Sequence, residues 1–497
     1  MTHSRDLRLD RRHFIRLGTG GLALATLGCG GEPAVAAAAD TATASDASGS
    51  DASTGDTAAP LPFDLSGVPE DTALFPLPIA AGPVAGGLTV VCSSAPATSR
   101  WLVWPEGGDA SSVVELPPFD VDPASGDTRG LRKGASRPEG WAKRTVSSLA
   151  PGVRHFVALV HGPEGAPTAR SRITTARVPH AEGETPTITL SATACTKYWY
   201  VPYDALTLAT ERPYDAFLHL GDMSYNDDAV SLEQYREAWA KTLADPGYVS
   251  ILGAGVFLNT WDDHEIANGE WTELPAEHVK NGRDAFYEAT PAVPDAQGRF
   301  WRSVRWGHTV EVFVLDVRGE RDPASRETPN AQFVSPAQLE WLLRALAESP
   351  CRFKLIMTSV PVARFPEVWP VKDVWDGYTA QREALLSAIV GRVRGVIFVG
   401  GDYHFGSVHR VEREGPRKDH WEILADPGAA SPNPLVGLVE VSPELTETYV
   451  PKAQFEYANT QSAATELVFD PAAGTVQVRF TALESREVVF ETVLTPD

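Results

Sequence analysis

Gly221-Asp222-Met223-Ser224-Tyr225 stands at the end of the apolar run 215–220, and three other segments repeat that arrangement. Cys195 follows 187–192, Trp261-Asp262-Asp263-His264-Glu265 follows 256–260, and Gly401-Asp402-Tyr403-His404 follows 395–399. Each run reads as a strand. Loops at the carboxyl ends of strands in an open α/β sheet converge on one crevice. Residues far apart in the chain are thereby expected to offer thiolate, carboxylate, phenol and imidazole to one cavity. That mixture suits a pair of metal ions, and paired ions suit phosphoryl chemistry.

Outward from these segments, the rhythm after residue 186 is strand, loop, helix. Helices are predicted over 231–243, Ala276–Ala289, 336–347 and 381–392. The strands at 310–315 and 353–358 are largely continuous apolar runs, as in sheets covered on both faces. A late β tail is predicted at 464–469, 475–480 and 487–494. Before residue 178 the pattern is one of short alternating runs broken by Gly and Pro, which predicts a seven-stranded β-sandwich. Residues 37–60 are almost all Ala, Asp, Thr, Ser and Gly and read as a flexible tether.

The amino terminus carries Asp10-Arg11-Arg12-His13-Phe14-Ile15-Arg16 ahead of a weakly apolar stretch, the pattern of a twin-arginine export signal. Leu27-Gly28-Cys29 resembles the end of a lipobox, which would anchor the protein to a membrane through Cys29. The rival is cleavage after Ala34-Val35-Ala36, which would leave a free periplasmic or extracellular protein. The domain reading is therefore export signal 1–36, linker 37–70, β-sandwich 71–180 and catalytic domain 181–497, in a chain of 497 residues expected to be monomeric. A net charge of −22 argues against a nucleic-acid partner, because counterion release needs clustered Lys and Arg. Four cysteines, Cys29, Cys92, Cys195 and Cys351, are too few for a disulfide framework.

In an extended segment, residues two apart share a face, so Asp402 and His404 are expected to point together. Tyr225 binds as phenolate only where a strong Lewis acid lowers its pKa from about 10. Gly221-Asp222-Met223-Ser224-Tyr225 resembles the GDxxY segment of purple acid phosphatases. With Cys195 where binuclear phosphoesterases usually carry Asp-x-His, with Asp262-Asp263-His264-Glu265 as a DDHE signature and with Asp402-Tyr403-His404, the chain resembles the PhoD-like alkaline phosphatase and phosphodiesterase family.

The resemblance implies an α+β fold, an αββα metallophosphoesterase sandwich of two mixed sheets flanked by helices, preceded by a fibronectin- or Ig-like β-sandwich. It implies Fe(3+) held by Cys195, Asp222, Tyr225 and His404. It also implies Ca(2+) sharing Asp222 with Asp402 and with either Asp263 or Asn268. Phosphate-ester hydrolysis by metal-activated water follows, with His264 as acid or phosphate stabiliser. Arg283 is a candidate phosphate clamp, and Arg318 is expected in a structural pair with Asp316. Ser359 replaces a histidine of acid phosphatases, which lowers the nitrogen count further. A phospholipase or teichoic-acid-type diesterase and a non-catalytic surface lipoprotein are the alternatives. Loops near Trp199, Trp271 and Trp375 are expected to decide the substrate.

Overall fold

A computed structural model describes residue 65 and residues 67–96, 98–118, 141–370 and 372–496. The export signal, the lipobox-like Cys29 and most of the linker lie outside the described residues. Among the described residues, eight strands occupy the amino-terminal part: β1 (Ala80–Val84), β2 (Gly87–Cys92), β3 (Arg100–Pro105), β4 (Val114–Leu116), β5 (Ala142–Ser147), β6 (Arg154–His161), β7 (Ala169–Arg170) and β8 (Thr174–Arg177). They form a three-stranded sheet, β1-β2-β5, and a five-stranded sheet in which β6 pairs with β3, β7 and β8.

The remainder supplies β9 (Ile188–Thr196), β10 (Ala216–His219), β11 (Val256–Asn259), β12 (Arg302–Trp306) and β13 (Val310–Val314). There follow β14 (Phe353–Met357), β15 (Val396–Gly400), β16 (Gly406–Arg410), β17 (Trp421–Leu424) and β18 (Pro427–Ala429). The tail is β19 (Phe455–Asn459), β20 (Ala463–Asp470), β21 (Thr475–Ala482) and β22 (Val488–Leu494). Two seven-stranded sheets result. One runs β11-β10-β9-β20-β21-β22 with β18 also on β9, and the other runs β12-β13-β14-β15-β17-β16-β19. Both are mixed: β9, β10 and β11 are parallel while β20 runs against β9. In the second sheet β13, β14, β15 and β17 are parallel and β12 and β16 run against their neighbours.

Every residue of β13, β14 and β15 is buried, including Glu311 and Lys354, as largely apolar runs require when both faces are covered. The helices lie close to their predicted bounds because their ends are chemically marked. Ser231 makes a reciprocal capping box with Gln234 ahead of Leu232–Leu243, and Ser335 caps Pro336–Glu348 with Pro336 in the first turn. Cys92, Cys195 and Cys351 are buried and in no disulfide, so Cys92 and Cys351 pack as small apolar groups and are not bridged. Among the described residues no helix is long and apolar enough to cross a membrane.

The amino-terminal strands share one core with the first large sheet, in which Val90, Trp101 and Val157 join the same buried cluster as Phe257 and Trp261. A polar clip reinforces that contact. Lys143 of β5 is buried and its ammonium donates to the carbonyls of Tyr287 (2.7 Å), Thr290 (3.0 Å) and Ala292 (2.7 Å), just where the helix Ala276–Ala289 ends. Trp141 adds an indole bond to the Glu288 carbonyl at 2.9 Å. A cation at a helix carboxyl terminus meets both the orphan carbonyls and the negative end of the dipole. Burial pulls the Lys143 pKa down to about 7, with Arg302 adding to the effect and Glu288 opposing it.

Lys143→Met leaves three buried carbonyls without their donor and is expected to lower unfolding free energy by about 3 kcal/mol or more in urea melts at about pH 6, where Lys143 carries its proton. Because the folded state depresses this pKa, the unfolded chain holds the proton more tightly between about pH 7 and the ordinary lysine value of 10.5. Wild type should therefore gain on the variant as pH rises through that window. A gap that stays flat with pH would show the carbonyls holding the proton against burial.

Candidate metal centre

Six strand ends deliver the site. Cys195 lies at the end of β9; the β9 strand runs on to Thr196, so the cysteine belongs to the strand itself. Asp222 follows β10, Asp262 to Glu265 follow β11, Arg318 follows β13, Ser359 follows β14, and Asp402 to His404 follow β15. Backbone bonds tie these ends together: the amides of Cys195 and Thr196 donate to the carbonyls of Gly221 (3.1 Å) and Asp222 (2.8 Å), and that of Gly401 to Ser359 (3.1 Å).

The backbone is left-handed at Cys195 (φ 55°), Asp222 (57°), Asp402 (67°) and His404 (56°). Such a conformation costs an ordinary residue roughly 1–2 kcal/mol, and its recurrence at the donor residues marks a functional centre. It also corrects one expectation: Asp402-Tyr403-His404 is no extended segment, and the two outer residues do not share a face by alternation. They serve different donor groups, while the Tyr403 ring stacks on Trp369 at 5.4 Å. Gly401 is required by close approach, since a Cβ there would lie 2.4 Å from that of Ala194. Gly221 is required twice over, by its φ of 102° and by Asp262, whose Cβ would lie 2.7 Å from a Cβ at 221.

The side chains converge on Asp222. Donor atoms of Cys195, Asp222 and His404 lie within 4.8 Å of one another; so do those of Asp222, Asp263 and His264, and those of Asp222, Asp262, Asp263 and Asp402. Tyr225 joins the first group, its hydroxyl 3.2 Å from Asp222 Oδ2, where the Cys195 thiol also points at 3.5 Å. Asp222 is thus common to a sulfur–nitrogen–phenol side and an all-carboxylate side. His404 Nδ1 donates to the Ser431 carbonyl at 3.0 Å, which leaves Nε2 as its lone-pair nitrogen. Of the alternatives for the oxygen side, Asp263 lies in the cluster; Asn268 is exposed, and its backbone N–H donates to Asp227 at 3.0 Å.

Burial pushes the Asp222 carboxyl well above the usual carboxylate range; His264 opposes this, while Asp263, Asp262 and Glu265 add to it. Four buried carboxylates at such spacing repel one another strongly in a low-dielectric interior, and cations relieve that repulsion. The donor chemistry fits two kinds of ion. Thiolate, imidazole and phenolate suit a transition metal, whereas three or four carboxylates suit a hard cation.

Other residues hold the donors in place, and sequence reasoning gave several of them no role. Glu265, inside the DDHE tract, accepts from the amides of Asp222 (3.1 Å), Met223 (2.6 Å) and Asp262 (2.7 Å), stapling two loops. Burial pushes its pKa up to about 8, and the amides of Asp262 and Met223 pull against it. His264 Nδ1 meets Asp227 Oδ1 at 2.6 Å, and its ring lies 4.0 Å from that of Tyr225. Asp227 carries only its nearness to Tyr225 as a signal.

Two expectations change. The Arg318 guanidinium does not pair with Asp316; it binds Asp262 through Nε and Asp373 through Nη1 (2.8 Å), and only its backbone amide reaches Asp316. Arg283 takes Asp316 instead (3.6 Å) and lies 5.0 Å over the Trp261 ring, so its guanidinium is engaged there rather than offered as a clamp. Trp375 is buried in the second core and Trp271 packs on Trp261, donating to the Asp263 carbonyl at 3.0 Å, so both rings brace the loops that carry them. Ser359, where a histidine was missing, donates to Asp262 at 3.1 Å.

The chain is similar to known proteins. Alkaline phosphatase D of Bacillus subtilis (strain 168) is 25% identical over 310 residues, 52% of this chain and 52% of that protein, so the chain spans about half the length of the curated relative it matches. A solved structure described as the structure of PhoD superposes with a TM-score of 0.67 at 18% identity, over 85% of this chain and 89% of that one. Purple acid phosphatase PPD1 from yellow lupin (Lupinus luteus) seeds gives a TM-score of 0.58 at 13% identity, over 84% of this chain and 74% of that one. At these identities the two structures speak for the fold alone. Residues 190–480 match the family model described as PhoD-like phosphatase, and the chain belongs to that family.

Proposed function

We propose that the protein is an exported, metal-dependent phosphoesterase that hydrolyses phosphomonoesters or phosphodiesters. One observation carries the reading: Asp222 is shared by two buried donor groups of unlike chemistry. Cys195, Asp222, Tyr225 and His404 would hold iron(III), and Asp222, Asp263 and Asp402, with Asp262 beside them, would hold calcium. When bound, the ions supply charge neutralisation for phosphate oxygens and acidify a water for in-line attack.

The chain's own groups do the rest. Asp222 holds its two oxygens toward both sides at once. His264, oriented by Asp227 and stabilised by it as imidazolium, presents Nε2 to protonate the departing alkoxide. Arg318 faces Asp262 and Asp263 as a fixed cation that draws in an anionic ester. Hydrolysis of envelope diesters favours no separate residue here and belongs to the same reading. The twin-arginine segment would route the folded, metal-loaded protein outward, either anchored through Cys29 or free, and the two amino-terminal sheets would form the fibronectin-like domain of the 71–180 region.

Metal removal by chelation is expected to abolish nitrophenyl phosphate hydrolysis, with iron and calcium together restoring it; full activity in metal-free protein would sink the proposal. Cys195→Ala and Asp222→Ala should abolish turnover with circular dichroism unchanged, while Cys92→Ala remains active. Tyr225→Phe should lose any visible phenolate-to-iron absorption band. A separate expectation concerns the proton: His264→Ala should lower kcat about 100-fold or more, and Asp227→Asn about 10-fold. Equal, unmeasurable effects of both on kcat would remove His264 from the leaving-group role.

A further inference from the structure

Three arginines crowd the flank of the centre beside Asp262. Arg318 and Arg321 have side chains 1% and 0% exposed, and one oxygen of Asp373 receives Nη1 of both, at 2.8 and 2.6 Å. Glu270 takes Arg321 at 3.4 Å and also Arg326. Donors outnumber acceptors: Arg321 Nη2 and Arg326 Nε are buried without a hydrogen-bond partner among the described residues. Arg321 is preorganised, its guanidinium 4.6 Å over the Phe333 ring and its Nε bonded to the Val317 carbonyl at 3.0 Å. Asp373, in contrast, is 35% exposed and approaches from solvent.

Two fixed, buried guanidiniums covered by one half-exposed carboxylate are a built anion site with a weak resident. We propose that Arg318 and Arg321 form a second anion subsite, taking a distal phosphoryl group of the substrate in place of the Asp373 carboxylate. This rests on the phosphoesterase reading above. Arg318 uses separate edges of its guanidinium for Asp262 and Asp373 while Nη2 faces Asp263 at 3.9 Å, so the position held by Asp373 lies one guanidinium away from the donor cluster. The substrate class is a phosphate ester that carries a second phosphoryl group, and sugar bisphosphates are the probe of it.

The test compares kcat/KM for fructose 1,6-bisphosphate and fructose 6-phosphate on metal-loaded enzyme with calcium in excess. Asp373→Asn removes the competing charge and should raise the bisphosphate-to-monophosphate ratio about tenfold; Arg321→Gln should lower it by a similar factor, mainly through KM. Asp373 lies at the surface, so its variant keeps the test open if Arg321→Gln fails to fold. Monophosphate turnover with a ratio unchanged in Asp373→Asn overturns the subsite and leaves the phosphoesterase standing. No wild-type turnover of either ester overturns both.

Discussion

Mutual repulsion among Asp222, Asp262, Asp263 and Asp402 is the constraint around which the part of the chain from β9 onward is organised. Their donor oxygens lie within 4.8 Å of one another, with every one of the four residues buried. No apolar packing offsets so much like charge, and burial of carboxylates favours their neutral forms. The protein leaves the charge concentrated and places its compensation at the edges: Arg318 against Asp262 and Asp263, Ser359 against Asp262, and the Gly269 amide against Asp263 at 2.8 Å. The four carboxylates converge on Asp222, where cations are the natural remedy.

Holding that arrangement needs a rigid frame, which the two sheets provide at their carboxyl ends. Buried parallel strands fix where each loop starts, and the Glu265 carboxylate then locks the β10 and β11 loops to each other through three amides. Left-handed backbone at four donor positions is tolerated because the surrounding bonds overdetermine it. The Lys143 clip extends the frame outward, since the helix it terminates carries Arg283, and Arg283 supports Asp316, which in turn bonds the Trp261 indole at 2.8 Å. A contact between the amino-terminal strands and one helix end is thus linked to the loop that begins Asp262.

Much of this was legible in the chain because the strand-end motifs are local. Gly-Asp at 221–222 and 401–402 and the acidic tract at 262–265 announce themselves by type and by the apolar runs before them. Glu265 was visible but not its role, because a staple depends on amides forty residues away. Asp227 and Asp373 are single carboxylates in loops, where spacing carries no period to read. The Asp402–His404 geometry was misread through the assumption of an extended chain; only the φ values separate a two-residue alternation from two left-handed turns. Arg318 and Arg283 exchanged partners relative to expectation because sequence adjacency to Asp316 is a poorer guide than the direction in which each element enters the site.

The same charge logic explains why arginine and not lysine flanks the oxygen side. Arg318 must satisfy Asp262 and Asp373 together and still approach Asp263 at 3.9 Å, which a planar fork with five donors does and a single ammonium does not. Its charge is permanent, so it stays positive beside a cluster that would hold bound cations. On the opposite side the donors are of another kind: Cys195, Tyr225 and His404 offer thiol, phenol and imidazole, groups that a transition metal would bind and whose sulfur and phenol it would acidify. One half of the centre is thereby electrostatically set by the protein, whereas the other would take its charge from a bound ion. Asp222, common to both, is where the two regimes meet.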